Sequence, residues 1–428
     1  MTRHLPEPRT DRSLLLARHG YLFTAALDER ERRSLHQEQA VSLPFLGRPT
    51  LLVTGSSGVE LFYDESRLVR HRAVPAPIAA TLFGPGAVHG LDDAHHRHRK
   101  AMFLEALRPE ELDRLLAIAR RRWARELDRW REDGAGEVYS SAVTAFGSSI
   151  IEWAGITEPD EDLARYSRWL SAIVDGFGTV GTPYLKALVA RRRCDRWARD
   201  LVRRQRDTGG APSGSWLERV AGFLDEDGSP LPERTAAVEL LNILRPTVAV
   251  AWLAAFAALA LERHPDWRVR LAAEPSAHPG ALAEAFGHEV RRFYPFVPVL
   301  AARARRDFDH AGHHVAKGRR VLLDVHGTNH GADWEDPWAF RPGRFLDVDP
   351  CDVTAYVPQG GGPRETGHRC PGEGIANGLL ALAVSGLVRL EPRDLPVQDT
   401  QYSLNRMPTR PASGVRIETT RAATVRHE

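Results

Sequence analysis

The sequence predicts a mainly α-helical protein with a small β-sheet, organised as a single domain over residues 1–428. From about Asp93 onward, apolar residues recur at three- and four-residue steps, which is the spacing of amphipathic helices. Runs of β-prone residues are short, and no long Pro/Gly/Ser-rich or charged linker divides the chain. These observations together favour one large helical domain with a minor sheet.

The composition is that of an ordinary globular protein. Hydrophobic residues make up 43% of the chain and charged residues 27%, so the chain can bury a sizeable core. Lys and Arg number 58 against 56 Asp and Glu, and the formal charge of +2 excludes a strongly basic field for nucleic acid. The N-terminus lacks the apolar core of a signal peptide, and Cys194, Cys351 and Cys370 lack metal-ligand spacing. We therefore expect a cytoplasmic protein.

The elements of secondary structure follow from local patterns. Two β-prone runs between Thr50 and Asp64 are separated by Gly-Ser-Ser-Gly, which predicts a hairpin near the N-terminus. RVLLDVHG at 320–327 is a further β-prone piece. Helical periodicity predicts long helices at 95–107 and 109–132, and a final helix from Gly372 to Leu390.

One predicted helix is unusual because it carries a charge inside an apolar stretch. It begins at Pro232 and contains the pair Arg245-Pro246 near its centre. The longest apolar run, Thr247 to Leu261, is shorter than the roughly 20 residues of an ordinary membrane span. We therefore expect a helix buried in the core, which Pro246 kinks because proline lacks a backbone donor.

A glycine-rich loop, YVPQGGGPRETGHRC, delivers Cys370 to the start of the final apolar helix. The amides and the dipole of a helix N-terminus stabilise a thiolate, which predicts a lowered thiol pKa and a ligand or nucleophile. The alternative is a buried structural cysteine. Glycines at 360, 361, 362, 367 and 372 would let the backbone pass close to a bulky group, and His368 and Arg369 place cationic or polar groups beside the sulfur. A large anionic cofactor would explain both.

Three segments resemble motifs of the cytochromes P450. The loop from Gln359 to Gly372 resembles the family's cysteine-ligand loop, Glu289-Val290-Arg291-Arg292 resembles its Glu-x-x-Arg helix, and FRPGRF at 340–345 resembles the segment whose arginine joins that pair. They occur in the family's order. The resemblance implies the cytochrome P450 fold and a haem b whose iron is ligated by the thiolate of Cys370.

The same resemblance implies the residues that bind the haem propionates. His96 and Lys100 are four residues apart on one helix face, where the family places such side chains, and we expect His368 to contact the cofactor as well. Simple solvation of His96 and Lys100 is the alternative. A separate metal site at His95, His96 and His98 is disfavoured, because no Cys or carboxylate constellation accompanies them.

The central helix departs from the family's usual pattern, an acidic residue followed by threonine. An arginine at this place needs an anion, which could be a protein carboxylate, a haem propionate or an anionic substrate. Glu239 is not on its helix face. The Arg-Pro pair resembles that of the hydrogen peroxide-dependent fatty-acid peroxygenase branch, as do the long cysteine loop and the segments at 175–184 and 291–308.

That branch implies roles for the remaining residues. Arg245 would grip the substrate carboxylate, Pro246 would open space near the haem, and the held carboxylate would take and return the proton needed to split peroxide. Products would be 2- or 3-hydroxy fatty acids, or terminal alkenes after decarboxylation. His89 resembles the residue of alkene-forming members, with a loop histidine of no catalytic part as the alternative.

We expect Phe83, Phe296 and Val297 to line the substrate channel, although an aromatic residue such as Phe83 can equally be mere packing. The resulting hypothesis is a peroxygenase that needs fatty acid and hydrogen peroxide but no reductase. A monooxygenase with separate redox partners is the first alternative, and a non-catalytic haem sensor or carrier is the second.

Overall fold

The computed structural model describes residues 10–274, 280–390 and 393–419, with no side-chain detail for 393 and 394. Most of the N-terminal segment on which the signal-peptide prediction depends lies outside these ranges. Helices account for most of the described chain, so the prediction of a mainly α-helical fold with small sheets is confirmed.

The helices extend from one end of the described chain to the other. Their bounds are α1 Ser13–His19, α2 Glu29–Glu38, α3 Gly55–Phe62, α4 Ala76–Leu82, α5 Asp93–Ala106, α6 Pro109–Asp133, α7 Val138–Trp153, α8 Asp160–Asp175, α9 Thr182–Thr208, α10 Trp216–Gly222, α11 Glu233–Val248, α12 Val250–Arg263, α13 Pro265–Ala272, α14 Ala281–Phe293, α15 Val325–Asn329 and α16 Glu373–Val388.

The strands form three small sheets. Their bounds are β1 Ala40–Phe45, β2 Arg48–Val53, β3 Leu68–Val69, β4 Ala135–Glu137, β5 Val299–Ala304, β6 Phe308–His310, β7 His313–Val315, β8 Arg320–Asp324, β9 Arg393–Asp394 and β10 Arg416–Thr419. The largest sheet has the order β1-β2-β8-β5-β3, in which β2 and β8 are parallel and the other neighbours antiparallel. The others are β4-β10-β9 and β6-β7.

The predicted N-terminal hairpin is displaced by one element. The first β-prone run forms β2, but the second, after Gly-Ser-Ser-Gly, forms the helix α3. Strand β2 pairs instead with β1 across a turn at Leu46 and Gly47, both of which have positive φ. The prediction of a hairpin between Thr50 and Asp64 is therefore wrong. The second run forms a helix because Val59, Leu61 and Phe62 pack their side chains into the core beneath the sheet.

The predicted long helices are confirmed with small shifts at their ends. Helices α5, α6 and α16 occupy the three predicted segments. Local sequence explains the bounds of α6, because Pro109 stands in its first turn and Gly134 follows its last residue with a left-handed φ of 80°. The apolar faces of α6, α7, α12 and α16 meet in the largest hydrophobic cluster.

Helices α11 and α12 follow one another as a nearly continuous segment, Glu233–Arg263, in the middle of this cluster. By length and composition the segment could cross a membrane, but 94% of its most apolar window is buried inside the protein. It is therefore a core helix, as predicted. The two helices are separated at Ala249, shortly after Pro246. Pro246 has no N–H, so the carbonyl oxygen of Asn242 lacks its usual helical donor.

A buried ion pair joins α14 to the segment before the cysteine loop. Arg292 makes two hydrogen bonds to Glu289, each 2.8 Å long, and both side chains are completely buried. Arg344 approaches the same carboxylate at 3.2 Å, and the backbone amide of Arg341 donates to it at 2.7 Å. The arrangement predicted from the Glu-x-x-Arg resemblance is thus present.

Replacement of Glu289→Gln is expected to lower the free energy of unfolding by about 3–5 kcal/mol, because Arg292 would remain buried without its anion. Thermal unfolding of the purified protein measures the change. Glu29→Gln is the matched control, since Glu29 pairs with Arg33 on an exposed helix face. Equal melting temperatures for the two variants would contradict a structural role for this pair.

Candidate active site

Cys370 lies in the irregular loop just before α16. Its backbone amide donates to the carbonyl oxygen of Gln359 at 3.2 Å and closes the loop. Burial raises the pKa of the Cys370 thiol and nearby Glu373 adds to the rise, whereas a hydrogen bond from the backbone of Gly372 opposes it. The prediction of a lowered thiol pKa is therefore wrong for the protein groups alone. The helix N-terminus contributes in the predicted direction, but desolvation outweighs it.

The glycine triplet in the loop makes room for protein side chains. A Cβ atom at Gly361 would lie 2.9 Å from Cγ1 of Val59, and one at Gly362 would lie 2.8 Å from Cβ of Tyr63. At Gly360 it would lie 2.5 Å from the Tyr63 hydroxyl. We expected these glycines to accommodate a cofactor. In the structure Gly360, Gly361 and Gly362 let the loop pack on the end of α3. A close approach of the loop to a cofactor stays a prediction.

A buried ionic network holds the loop between two helices. Arg291 of α14 donates to Glu373 of α16 at 3.1 Å, and Arg369 donates to the other oxygen of the same carboxylate at 2.6 Å. Arg291 also bonds to the side chain of Gln359. The sequence analysis missed Glu373, because an acidic residue in the first turn of a helix is ordinarily a surface charge.

The residues predicted to bind the propionates form a buried polar cluster. His96 and Lys100, on α5, are 3% and 2% exposed. The ring of His96 stacks on that of His368, with centroids 3.8 Å apart. The Lys100 ammonium donates to the carbonyl oxygens of Gly367 and Arg369, the latter at 2.9 Å. The structure thus brings all three predicted residues to the loop that carries the cysteine.

This cluster fits a haem. Lys100 is a buried cation whose hydrogen-bond partners are neutral carbonyl oxygens, and Nδ1 of His96 is buried without a partner among the described residues. Both groups would gain from an anionic acceptor. Desolvation lowers the pKa of Lys100 to about 8, and the nearby Cys370 sulfur opposes that fall. A cysteine sulfur with a buried ammonium and a buried imidazole close by is a donor set that fits a haem iron and its propionates.

The three histidines that were considered for a metal site have separate partners. His95 pairs with Glu226, His98 bonds to the carbonyl of Leu224, and His96 stacks on His368. A carboxylate does lie near His96, however, which the sequence analysis did not foresee: Glu65, His96 and His368 have ligand atoms within 4.8 Å of one another. This group adjoins the loop that carries Cys370, because His368 is two residues before the cysteine.

Arg245 lies on α11 and is 4% exposed. Its Nη1 atom donates to Oδ1 of Asn242 at 3.1 Å and to the carbonyl oxygen of Leu82, and its guanidinium carbon lies 5.6 Å from the centre of the Phe83 ring. These partners are all neutral. The buried arginine that the sequence singled out is therefore held in place without a carboxylate in direct contact among the described side chains.

The charges around Arg245 balance one another only in part. Desolvation and, to a smaller extent, the charge of Arg191 lower its pKa to about 9, whereas the charges of Glu239 and Cys370 oppose the fall. Arg191 is itself buried and ion-paired with Asp195 at 2.8 Å. The sequence analysis missed Arg191, because it lies among many exposed arginines on α9.

The position of Glu239 differs from what its place on the helix suggested. We set it aside as a partner of Arg245 because it is not on the same helix face. In the structure it is completely buried and accepts a hydrogen bond from Nδ2 of Asn242 at 2.9 Å. Asn242 thus connects the carboxylate to the arginine. Asn242 is three positions from both Glu239 and Arg245, so it can bridge the two along the helix. The helix positions of Glu239 and Arg245 alone do not reveal this bridge.

His89 and Phe83 meet beside Arg245. Their rings stack with centroids 4.3 Å apart. His89 as a whole residue is exposed, but desolvation of its ring and the charge of Arg245 lower its pKa to about 3. His89 is therefore neutral over the ordinary pH range. The structure brings the predicted residues Phe83, His89 and Arg245 together.

The other two predicted channel residues, Phe296 and Val297, lie just before β5. Phe296 packs edge-on against Trp252 of α12, with ring centroids 6.5 Å apart, and its carbonyl accepts a hydrogen bond from Tyr21. Val297 packs against the cluster beneath the largest sheet. Both are partly buried just before β5, and their place in the channel stays a prediction.

The chain is similar to solved and curated proteins over nearly its whole length. The family model for cytochrome P450 matches residues 281–391. The structure of cytochrome P450SP alpha (CYP152B1) in complex with (R)-ibuprophen is 36% identical, with a TM-score of 0.88, and the match covers 95% of this chain and 98% of that one. Ligand-free cytochrome P450 OleT is 31% identical, with a TM-score of 0.89 and coverages of 96% and 97%.

A curated relative is more distant. A protein named cytochrome P450 137, from Mycobacterium tuberculosis, is 24% identical over 404 residues, which are 90% of this chain and 84% of that protein. The level of identity and the coverage of the two solved structures decide the classification. The chain belongs to the cytochrome P450 family, whose members hold a haem iron through a cysteine thiolate.

Proposed function

We propose that this protein is a hydrogen peroxide-dependent fatty-acid peroxygenase. It hydroxylates its substrate at the α or β carbon and converts part of it to terminal alkenes by decarboxylation. The observation that carries the proposal is Arg245, a buried cation on the core helix whose hydrogen-bond partners are neutral oxygen atoms. A guanidinium held in this way is a binding site for a carboxylate.

The proposed ligand chemistry agrees with the similar structures. A variant of cytochrome P450 OleT, 31% identical to this chain, is described in complex with arachidonic acid, which is a fatty acid. A fatty acid matches the present site because it offers a carboxylate for Arg245 and an apolar chain for the surrounding core residues. With a pKa near 9, Arg245 is mostly protonated at neutral pH and can bind that carboxylate.

We propose Cys370 as the iron ligand and His96, Lys100 and His368 as the groups that face the propionates. When bound, the haem supplies peroxide activation, which electron donation from a thiolate favours. The chain's own contribution is to position the substrate. Arg245 fixes the carboxylate, so that its oxygen atoms can accept and return the proton that cleavage of the peroxide bond requires.

Pro246 and His89 complete the proposed catalytic group. Pro246 loosens the helix around the arginine, because its nitrogen has no hydrogen to donate to the carbonyl oxygen of Asn242. His89 is neutral at ordinary pH, so it acts as a hydrogen-bond donor to the substrate or to peroxide rather than as a cationic acid. Phe83, Phe296 and Val297 are proposed to line the channel for the acyl chain.

The rival reading is a monooxygenase that depends on separate electron-transfer proteins. Such enzymes of this family usually carry an acid and a threonine where this chain has Arg245 and Pro246. The proposed peroxygenase needs no reductase, because peroxide supplies both the oxygen atom and the oxidising equivalents. A cytoplasmic location belongs to the same proposal and is supported by three cysteines that form no disulfide.

The purified haem protein, given myristate and dilute hydrogen peroxide without any reductase, is expected to form hydroxymyristate and a terminal alkene. Gas chromatography with mass spectrometry of the extract identifies the products. Heat-inactivated protein is the control for free haem chemistry. If products form only when a reductase system replaces peroxide, the monooxygenase reading is correct.

Arg245→Leu is expected to reduce kcat/KM for myristate at least about a hundredfold, because a buried charge-assisted carboxylate contact is lost. The optical response to fatty acid should vanish while the haem content stays unchanged. Arg203→Leu, which alters an exposed arginine paired with Glu233, is the matched control. Unchanged turnover in the Arg245 variant would remove this residue as the carboxylate anchor.

His89→Gln is expected to lower the fraction of alkene among the products, because the imidazole that faces Arg245 and stacks on Phe83 would be lost. Product ratios at equal conversion measure the effect. His95→Gln, at an exposed histidine of α5, is the control. A product ratio equal to that of the wild type would leave His89 as a loop histidine without a catalytic part.

A further inference from the structure

Glu239 is the centre of a buried hydrogen-bond network on α11. Its Oε1 atom accepts from the backbone amide of Val88 at 2.8 Å and from Arg99 at 3.1 Å, and its Oε2 atom accepts from Asn242 at 2.9 Å. Asn242 in turn accepts from Arg245 at 3.1 Å. We call Arg99, Glu239, Asn242 and Arg245, with the Val88 amide, the Glu239 network.

The network determines which way the amide of Asn242 points. An ionised carboxylate can only accept hydrogen bonds, so it requires the NH₂ end of the amide. The oxygen end is then left for Arg245, which can only donate. Without an acceptor at Glu239, nothing in this chain of contacts would prevent the amide from turning its NH₂ group towards the guanidinium. The orientation of Asn242 therefore depends on Glu239.

The network also separates two opposite charges. The direct ionic partner of Glu239 is Arg99, which also pairs with Asp225 at 2.6 Å. Arg245 is reached only through the neutral amide of Asn242. A carboxylate in direct contact with Arg245 would neutralise its charge and compete with any anionic ligand. The neutral spacer holds the guanidinium in position and leaves its charge for another partner.

Glu239 connects both sides of the proposed site. The Val88 amide that it binds immediately precedes His89 in the chain, whereas Asn242 and Arg245 lie on α11. One carboxylate thereby ties the segment that carries His89 to the helix that carries the arginine. Loss of its charge would disturb both, because Val88, Arg99 and Asn242 all donate to it.

We propose that Glu239 is a positioning residue that orients Asn242, so that Arg245 is aimed at a fatty-acid carboxylate while remaining free of a direct protein anion. This inference rests on the proposed function, since it takes a fatty acid as the ligand of Arg245. The added claim is that the affinity of the protein for the fatty-acid carboxylate depends on Glu239, a residue that does not touch the substrate.

Glu239→Gln keeps the shape of the side chain but introduces a donor. The new NH₂ group must face either the donors Val88 and Arg99 or the NH₂ group of Asn242, and if Asn242 turns to accept, its NH₂ group faces Arg245. At least one mismatch remains in each arrangement. The dissociation constant of myristate, measured by optical titration of the haem-loaded protein, is expected to rise about tenfold or more. The melting temperature is expected to fall.

The double variant Glu239→Gln/Asn242→Asp separates positioning from simple stability. The glutamine oxygen accepts from Val88 and Arg99, its NH₂ group donates to the new carboxylate, and that carboxylate accepts from Arg245, so every donor has an acceptor. The melting temperature should return towards the wild-type value. Myristate affinity should stay at least about tenfold weaker, because Arg245 now has a direct protein anion. Binding of 1-tetradecanol, which has the same chain length without the charge, should be affected little.

Glu233→Gln, at a partly exposed glutamate on the same helix, is the matched control and should leave binding unchanged. Myristate affinity within about twofold of the wild type in Glu239→Gln would overturn the inference, as would a double variant that regains both melting temperature and myristate affinity. If the wild type responds to myristate and the variants respond equally, this inference alone fails. If the wild type shows no response, the proposed function fails first.

Discussion

The positive charge of Arg245, buried on an apolar helix, has to be held in position without being neutralised. Much of the arrangement of the candidate site follows from that constraint. Arg245 meets it through neutral oxygen atoms of Asn242 and Leu82, while the balancing carboxylate stays one residue further away. The same logic holds on the cofactor side, where Lys100 bonds to carbonyl oxygens. Both sides of the site therefore present buried cations whose hydrogen-bond partners, among the described residues, are neutral oxygen atoms.

The cysteine loop depends on a different kind of support. Its shape is set by packing of glycines on Tyr63 and by the ionic bonds of Glu373 with Arg291 and Arg369. These contacts reach the loop from α3, α14 and α16, so the position of Cys370 is determined by elements far apart in the sequence. The cysteine identifies the cofactor, but distant residues decide where its sulfur lies.

Much of this could be predicted from the sequence, because helical periodicity and the cysteine motif are local signals. The residues that met at Arg245 were also foreseen as single candidates. What could not be foreseen depends on tertiary contact. The second run of the supposed hairpin forms a helix because its apolar side chains pack beneath the sheet. Glu239 looked irrelevant beside Arg245 because the bridge through Asn242 appears only when side-chain orientations are known.

The depth at which Arg245 lies has a further consequence under the proposed function. Its helix is enclosed by the core on every side, so the point that grips the acid cannot shift to suit different substrates. The substrate carboxylate is then held at one fixed place, and oxidation falls at the carbon atoms nearest to it. Variation in acyl length has to be absorbed at the far end of the chain. Such an enzyme would be confined to the carbon atoms next to the carboxylate and tolerant of acyl length.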